Sequence, residues 1–281
     1  MKWIKQSEIL HFALSVYREY NDFNAETKMI VFHTDLDNTL IYSYKHDIGE
    51  QKRCVEIYQG REISFVTQET YQLLQRLSEQ KSQVLIVPTT TRTIEQYQRI
   101  DLGIGDLRYA LVCNGGVLLV DGQEDTYWYR DSLELIRDSQ SELDKALDFL
   151  ERDMRRSFEL RFIKELFVFT KCEEPEAVVN DLRKILDADV VDVFHNGTKV
   201  YVVPKALNKG KAVARFRSYI KADYVIAAGD SEFDIPMLET ADRGIAAPGL
   251  AQSYPFSDQI ECPSREKLFA ESVLEKVCKE L

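Results

Sequence analysis

Residues 224–238 read Tyr-Val-Ile-Ala-Ala-Gly-Asp-Ser-Glu-Phe-Asp-Ile-Pro-Met-Leu. The first five form a β-rich run of the length and hydrophobicity of a strand buried on both faces. Gly229 permits a tight exit. Asp230 and Asp234 follow, before a helical pattern through Met237 and Leu238. On its own the cluster is accounted for by a helix N-cap at Asp230 or Ser231. Paired carboxylates at a strand end also supply the hard oxygen donors that suit Mg²⁺.

The same arrangement recurs upstream. Met29–His33 runs into Thr34-Asp35-Leu36-Asp37-Asn38-Thr39, and Val84–Pro88 runs into Thr89-Thr90-Thr91-Arg92. The run Val200–Val203, closed by Pro204, precedes Asn208-Lys209-Gly210-Lys211. In extended backbone Asp35 and Asp37 share a face. Carboxylates so close repel unless a cation or a division of labour separates them, one as nucleophile or ligand and the other as proton carrier. Each cluster has a plainer reading: backbone-bonded turns for the aspartates, helix capping for the threonines, a solvated surface lysine for Lys209. A lysine at a helix start does oppose the macrodipole, a sign that Lys209 answers an anion.

The rest of the chain supplies the frame. The periodicity predicts a helix over Ile4–Tyr20. A hairpin spans 53–66 with its turn at Gln59-Gly60, and Thr67 caps the next helix. Another hairpin turns at Asn114-Gly115. The middle reads as a long helix from about Ser132 to Arg156, a strand from Phe162 to Thr170, a helix from Pro175 to Leu186 and a hairpin at Asn196-Gly197. Helices over about Asn208–Ile220 and Lys267–Leu281 follow. Strands alternating with helices at both ends predict an α/β fold with a parallel sheet covered on both faces. Sites in such sheets lie at the carboxyl ends of the strands, where the four clusters fall.

The order of the clusters resembles that of the haloacid dehalogenase (HAD) superfamily, from about residue 28 to about 250. The motifs are Asp35-x-Asp37-x-Thr39, Thr90-Thr91-Arg92, Lys209-Gly210 and Gly229-Asp230-Ser231-x-x-Asp234-x-x-Met237-Leu238. With Asn114-Gly115 they are similar to the sugar-phosphatase branch, which includes Cof-type hydrolases and sucrose-phosphate phosphatases. The resemblance implies a Rossmannoid parallel-sheet core over 25–125 and 200–281 and an inserted α+β cap over 126–199, to which the helical extension over 1–24 is an addition. It implies Asp35 as nucleophile, forming an aspartyl-phosphate, and Asp37 as general acid and base. Lys209, Thr90, Thr91, Arg92 and Asn114 would hold the phosphoryl group. Asp35, Asp37 through its backbone carbonyl, Asp230 and Asp234 would surround Mg²⁺. Spacing to Arg92 makes Thr90 the second-motif hydroxyl, whereas alignment on the strand end makes it Thr89. Asn38 stands where the family usually has glycine, and Phe233 where asparagine is frequent.

The chain has 281 residues with 36 Lys+Arg against 47 Asp+Glu, a net charge of −11. That balance excludes sequence-independent nucleic-acid binding, which needs a basic face, but not a small anionic substrate met by local cations. No apolar run approaches the roughly 18 residues of a membrane span. The start MKWIKQSEIL, broken by Glu8 and His11, reads as no secretory signal. The five cysteines show no C-x-x-C spacing, which favours a reducing cytoplasm and buried thiols. The expectation is a Mg²⁺-dependent phosphatase acting on a small phosphorylated metabolite, a sugar or polyol phosphate. A sugar phosphomutase, a catalytically retired regulatory module and a protein phosphatase are the alternatives. The N-terminal helix and the 53–66 hairpin are open to shaping the mouth of the site or a homodimer contact. Tyr127, Trp128 and Tyr129 are expected to pack at a hinge, with sugar stacking as the alternative. Arg155, Arg156 and Arg161 are expected on a solvated face, with contact to a second anionic group as the alternative.

Overall fold

The computed structural model describes residues 28–80 and 83–281. The helix expected over Ile4–Tyr20 and the extension over 1–24 lie outside the described residues. Strand Ile30–Thr34 is buried at all five positions, the pattern of a strand sandwiched between two layers. It pairs in parallel with Tyr224–Gly229 on one side and Val84–Pro88 on the other. Arg243–Ala246 and Ile260–Glu261 extend the parallel sheet beyond Tyr224–Gly229. Beyond Val84–Pro88, Tyr109–Val112 adjoins through a parallel bridge between Thr89 and Leu111. Helices Gln68–Glu79 and Phe269–Cys278 bury Leu73, Leu74, Leu77, Val273, Leu274 and Val277 on one face. Helices Lys209–Ile220 and Ile235–Thr240 bury Val213, Phe216, Met237 and Leu238 on the other.

Register aligns the strand ends. Thr34 pairs with both Ala228 and Pro88, so Asp35 leaves the sheet beside Gly229 and beside Thr89. The Asp35 amide donates to the Ala228 carbonyl at 2.9 Å, and the Thr89 amide to the Thr34 carbonyl at 2.8 Å.

A second, antiparallel sheet runs Val191–Asn196, Lys199–Pro204, Phe167–Lys171, Arg161–Ile163. Val168, Val193, Val200 and Val202 face helices Gln140–Arg152 and Pro175–Ile185. The opposite face carries Phe169, Phe194 and Tyr201, whose rings lie 5.1–5.5 Å apart between neighbours.

Several details differ from the sequence expectations. The strand expected from Phe162 to Thr170 is two strands, turning at Lys164 and Glu165, both at positive φ (47° and 56°). Lysine and glutamate give no turn signal, and the turn is held instead by the Lys164–Glu124 ion pair at 2.7 Å. The helix expected over Ser132–Arg156 starts at Thr126, capped by Asp125, and divides into Thr126–Leu135 and Gln140–Arg152. Fully buried Ile136 leaves helical geometry between them, and the apolar spacing conceals the break. The run Val200–Val203 belongs to the antiparallel sheet, because the turn at Asn196-Gly197 folds it onto Val191–Asn196. Lys209 therefore follows a strand of the antiparallel sheet. Arg155 is part-exposed and pairs with Asp153 and Asp181 at 2.6 and 3.0 Å. Arg156 donates to the Leu150 and Phe158 carbonyls. Cys113 and Cys172 are buried, whereas Cys262 is exposed. Among the described residues no helix is long and apolar enough to cross a membrane.

Candidate active site

The loop after Ile30–Thr34 is wound tightly. The Leu36 carbonyl accepts from the amides of Thr39, Leu40 and Ile41, and the Asn38 amide donates to Ile41. Asn38 sits at φ 61°, a left-handed conformation that asparagine tolerates better than other side chains with a Cβ. The wound loop leaves Asp35 buried at the sheet end and Asp37 two residues further out, its side chain about half exposed (51%).

Lys209 reaches Asp35 from across the sheet. It is the first residue of helix Lys209–Ile220, whose cap, Asn208, accepts from the Lys211 amide through its side chain. Gly210 lets this helix approach its neighbour, since a Cβ there would lie 2.3 Å from the Pro236 carbonyl oxygen. The Lys209 ammonium is buried and donates to Asp35 Oδ1 and Asp234 Oδ1, each at 2.6 Å. Burial alone would lower the lysine pKa, but Asp234 and Asp35 overturn that and raise it.

Asp234 fastens the other strand end. Its Oδ2 accepts from the amides of Asp230 (3.0 Å) and Ser231 (2.9 Å) and from the Ser231 hydroxyl (2.9 Å). Gly229 is required here, because a Cβ would come within 2.2 Å of the Asp234 Cβ. With one oxygen on Lys209 and the other on three donors, Asp234 chiefly shapes the loop and orients the lysine. Thr39 donates to Asp230 Oδ1 at 3.3 Å, tying the two acidic loops together.

Asp35, Asp230 and Asp234 each offer an oxygen within 4.8 Å of the others. Three carboxylates share one lysine. Burial pushes Asp35 well above the usual carboxylate range, and Lys209 offsets this only in part. Burial, aided by Asp234, raises Asp230 to about 7. A compact set of hard oxygens with uncompensated negative charge is the donor chemistry of Mg²⁺. The Asp37 side chain lies outside this cluster.

Asp37 answers a different cation. Arg92 grips it bidentately, Nε to Oδ2 and Nη2 to Oδ1, both at 2.8 Å. Burial alone would raise Asp37, but Arg92 outweighs it and holds the carboxyl below its usual range. The third nitrogen, Nη1, donates to Glu56 Oε1 at 2.9 Å. Glu56 is buried on the hairpin Lys52–Tyr58/Arg61–Thr67 and also takes the Ser64 hydroxyl at 2.6 Å and Arg99 Nε at 3.1 Å.

The threonines separate by geometry. Thr89 is fully buried, its hydroxyl bonded to His33 Nδ1 at 2.8 Å and to the Val87 carbonyl at 3.2 Å. The Thr90 hydroxyl accepts from the Arg92 amide at 3.2 Å. Thr91 is half-buried beside it. Asn114, at φ 59°, donates to the Leu207 carbonyl at 3.1 Å and so fixes the approach to Lys209. Trp128 is buried, with its Nε1 donating to the Gly115 carbonyl at 3.0 Å. It is a packing residue at the start of the helical segment.

Two groups escaped the sequence reading. Glu56 lies between Val55 and Ile57, so strand alternation reads it as outward-facing, and only the register shifts on both sides of it turn it inward. Phe233 of the acidic loop packs edge-on against Phe194 and Tyr201 of the antiparallel sheet, with centroids at 4.7 and 5.3 Å. Nothing local in the sequence indicates that contact.

Comparison with known proteins bears on the fold and on the sequence of the second half of the chain. Residues 118–248 match the family model of haloacid dehalogenase-like hydrolases. A phosphoglycolate phosphatase from Methanopyrus kandleri is 30% identical over 138 residues, 47% of this chain and 56% of the relative. The chain thus matches little more than half the length of that relative. The sucrose-phosphatase of Synechocystis sp., solved with sucrose and phosphate, has a TM-score of 0.62 at 18% identity, covering 90% of this chain and 98% of that one. A haloacid dehalogenase-like hydrolase protein from Bacillus subtilis has a TM-score of 0.52 at 16% identity, covering 94% and 99%. The chain thus has the fold of the haloacid dehalogenase-like structures, and its segment 118–248 matches the sequence model of haloacid dehalogenase-like hydrolases.

Proposed function

We propose that this chain is a Mg²⁺-dependent phosphatase that hydrolyses a small phosphorylated metabolite, a sugar or polyol phosphate, through an aspartyl-phosphate on Asp35. The observation that carries the reading is the Lys209 ammonium 2.6 Å from Asp35 Oδ1, at a strand end shared with Asp230 and Asp234. Lys209 engages one Asp35 oxygen and leaves Oδ2 to attack phosphorus. As that O–P bond forms, the bond to the leaving oxygen breaks and Asp37 passes it a proton, which the ionised carboxylate first takes up from water as the substrate's leaving oxygen displaces one of its two Arg92 contacts. Asp37 then takes a proton from water, whose oxygen attacks phosphorus and releases phosphate from Asp35. Lys209 neutralises the charge that develops on the phosphoryl oxygens, and Thr90 is the second-motif hydroxyl, since Thr89 is committed to His33 and Val87. Asp35 and Asp230, with Asp234 beside them, would hold Mg²⁺, which when bound favours the charged form of Asp35 and draws charge from the phosphoryl group.

The segment 126–199 expected as a cap would act as one together with the rest of strand Lys199–Pro204, which belongs to its sheet. Lys199 and Tyr201, on the antiparallel sheet, lie within electrostatic range of Asp37. Together with the aromatic face of Phe169 and Phe194 they would receive the leaving group. The related sucrose-phosphatase and phosphoglycolate phosphatase both act on small phosphate monoesters by name, in keeping with this reading. The free cysteines are in keeping with a reducing cytoplasm.

The test is phosphate release from a panel of sugar, polyol, glycerate and nucleotide monophosphates, with Mg²⁺ and with chelator. The expected result is release from at least one sugar or polyol phosphate, abolished by chelator. Conversion of a sugar phosphate to its isomer without free phosphate would replace the phosphatase by a mutase.

A further inference from the structure

We propose that Glu56 is a positioning residue for Asp37, acting through Arg92. The inference rests on the phosphatase reading and extends it to a part of the chain outside the four strand-end clusters. Asp37 stands on a short loop with its side chain half exposed, and among the described residues its carboxylate is held by Arg92 alone. A proton carrier must be fixed to within a fraction of an ångström, since misplacement by about 1 Å can cost about a hundredfold in rate. Arg92 can fix it only if its own guanidinium is fixed.

Glu56 does that. The guanidinium is a rigid fork. Its Nε/Nη2 edge takes Asp37, and Nη1 takes Glu56 and the Gln96 carbonyl. Glu56 is itself held at three points, by Arg92, Ser64 and Arg99, with its side chain fully buried. Burial alone would raise its pKa, but these partners overturn that and keep it charged. The hairpin is built to aim it: the pairing of Lys52–Tyr58 with Arg61–Thr67 shifts register on both sides of Glu56. A bulge of this kind redirects a side chain. Charges alternate along the row Asp37, Arg92, Glu56, Arg99, so no member is buried unpaired.

A structural ion network and a positioning device differ in what they do to the leaving group. An alkoxide needs the Asp37 proton to depart. A nitrophenolate does not, but its aspartyl-phosphate still needs Asp37 to activate water. The experiment compares Glu56→Gln with wild type on an alkyl phosphate turned over by the wild type and on p-nitrophenyl phosphate, in steady state and in the pre-steady-state burst. The expected result is a kcat on the alkyl phosphate lowered about 10- to 100-fold with KM within about twofold. The nitrophenol burst keeps the wild-type rate while the turnover that follows slows. Unchanged kcat on the alkyl phosphate, or a burst slowed as much as turnover, overturns the proposal. Should Glu56→Gln not fold, Ser64→Ala, which removes one of the three holds on Glu56, decides on the same readouts with a smaller fall expected. Failure of the underlying phosphatase reading is separately visible, as a wild type that shows neither burst nor phosphate release.

Discussion

The acidic pocket around Asp35 and the arginine-held arm around Asp37 begin two residues apart and end in opposite electrostatic states. Around Asp35, burial and three further aspartates outweigh one lysine, and the carboxyl is pushed up. Around Asp37, a bidentate arginine outweighs burial, and the carboxyl is held down. The Asp35 pocket is short of positive charge and the Asp37 arm is balanced. Identical side chains acquire different chemistry because one turn of loop delivers them to different neighbours. The pocket suits a cation and a phosphoryl group, whereas the arm suits a proton carrier in a fixed position.

The largest effect falls on the pocket. Asp35→Asn keeps the shape and removes the nucleophile, so phosphate release should drop about a thousandfold or more while thermal unfolding stays cooperative. Near-normal turnover would end the assignment of roles to the two carboxylates.

Lys209→Met sharpens the same contrast through stability. It leaves Asp35 and Asp234 buried without their cation, a loss expected to cost about 3–5 kcal/mol in urea unfolding of the metal-free protein. A cost near zero would mean that the pocket is not short of positive charge.

The pH dependence follows with its sign. Asp230, raised to about 7 by burial and Asp234, keeps in the folded state a proton that the unfolded chain, titrating near 3.8, gives up. The stability from that proton is present at low pH and is lost as pH rises through about 7. His33, lowered to about 3 by burial, acts the other way, but only below its unfolded value of 6.5. Between about pH 6.5 and 8 the carboxylates act alone. The Tm of the metal-free protein should fall across that window, and Mg²⁺ should flatten the fall while binding with proton release in calorimetry. A metal-free Tm that rises there would contradict the charge-starved pocket.

The smallest effects separate the adjacent threonines. Thr89→Val should cost about 1 kcal/mol of stability by leaving His33 Nδ1 unpaired, with activity kept. Thr90→Val should cost a similar amount, about 1 kcal/mol, by leaving the Arg92 amide unpaired, but should also lower activity. The reverse pattern would move the second-motif hydroxyl to Thr89.

Much of this was legible in the sequence because it is local. The apolar run Val31–Phe32 ending in Asp35, the cap at Thr67, the turn at Gln59-Gly60 and the Asn208 cap before Lys209 each depend on residues within one turn or strand. The hairpin at Lys164-Glu165 was not legible, because its left-handed residues are of types that rarely adopt that geometry. The break at Ile136 was hidden by an apolar spacing that runs on across it.

Local pattern is enough to identify which residues end the strands, their order, and the surplus of carboxylates over cations among them. Those properties follow from periodicity and residue type, which short-range forces read directly. Only the tertiary structure decided that Lys209 is buried between Asp35 and Asp234, that Thr89 turns to His33 while Thr90 does not, and that Glu56 stands behind Arg92 and Asp37. Each of these couples residues tens to well over a hundred positions apart. What selects such a partner is the register of neighbouring strands and the cost of leaving a charge buried and unpaired, neither of which is written in any local stretch of chain.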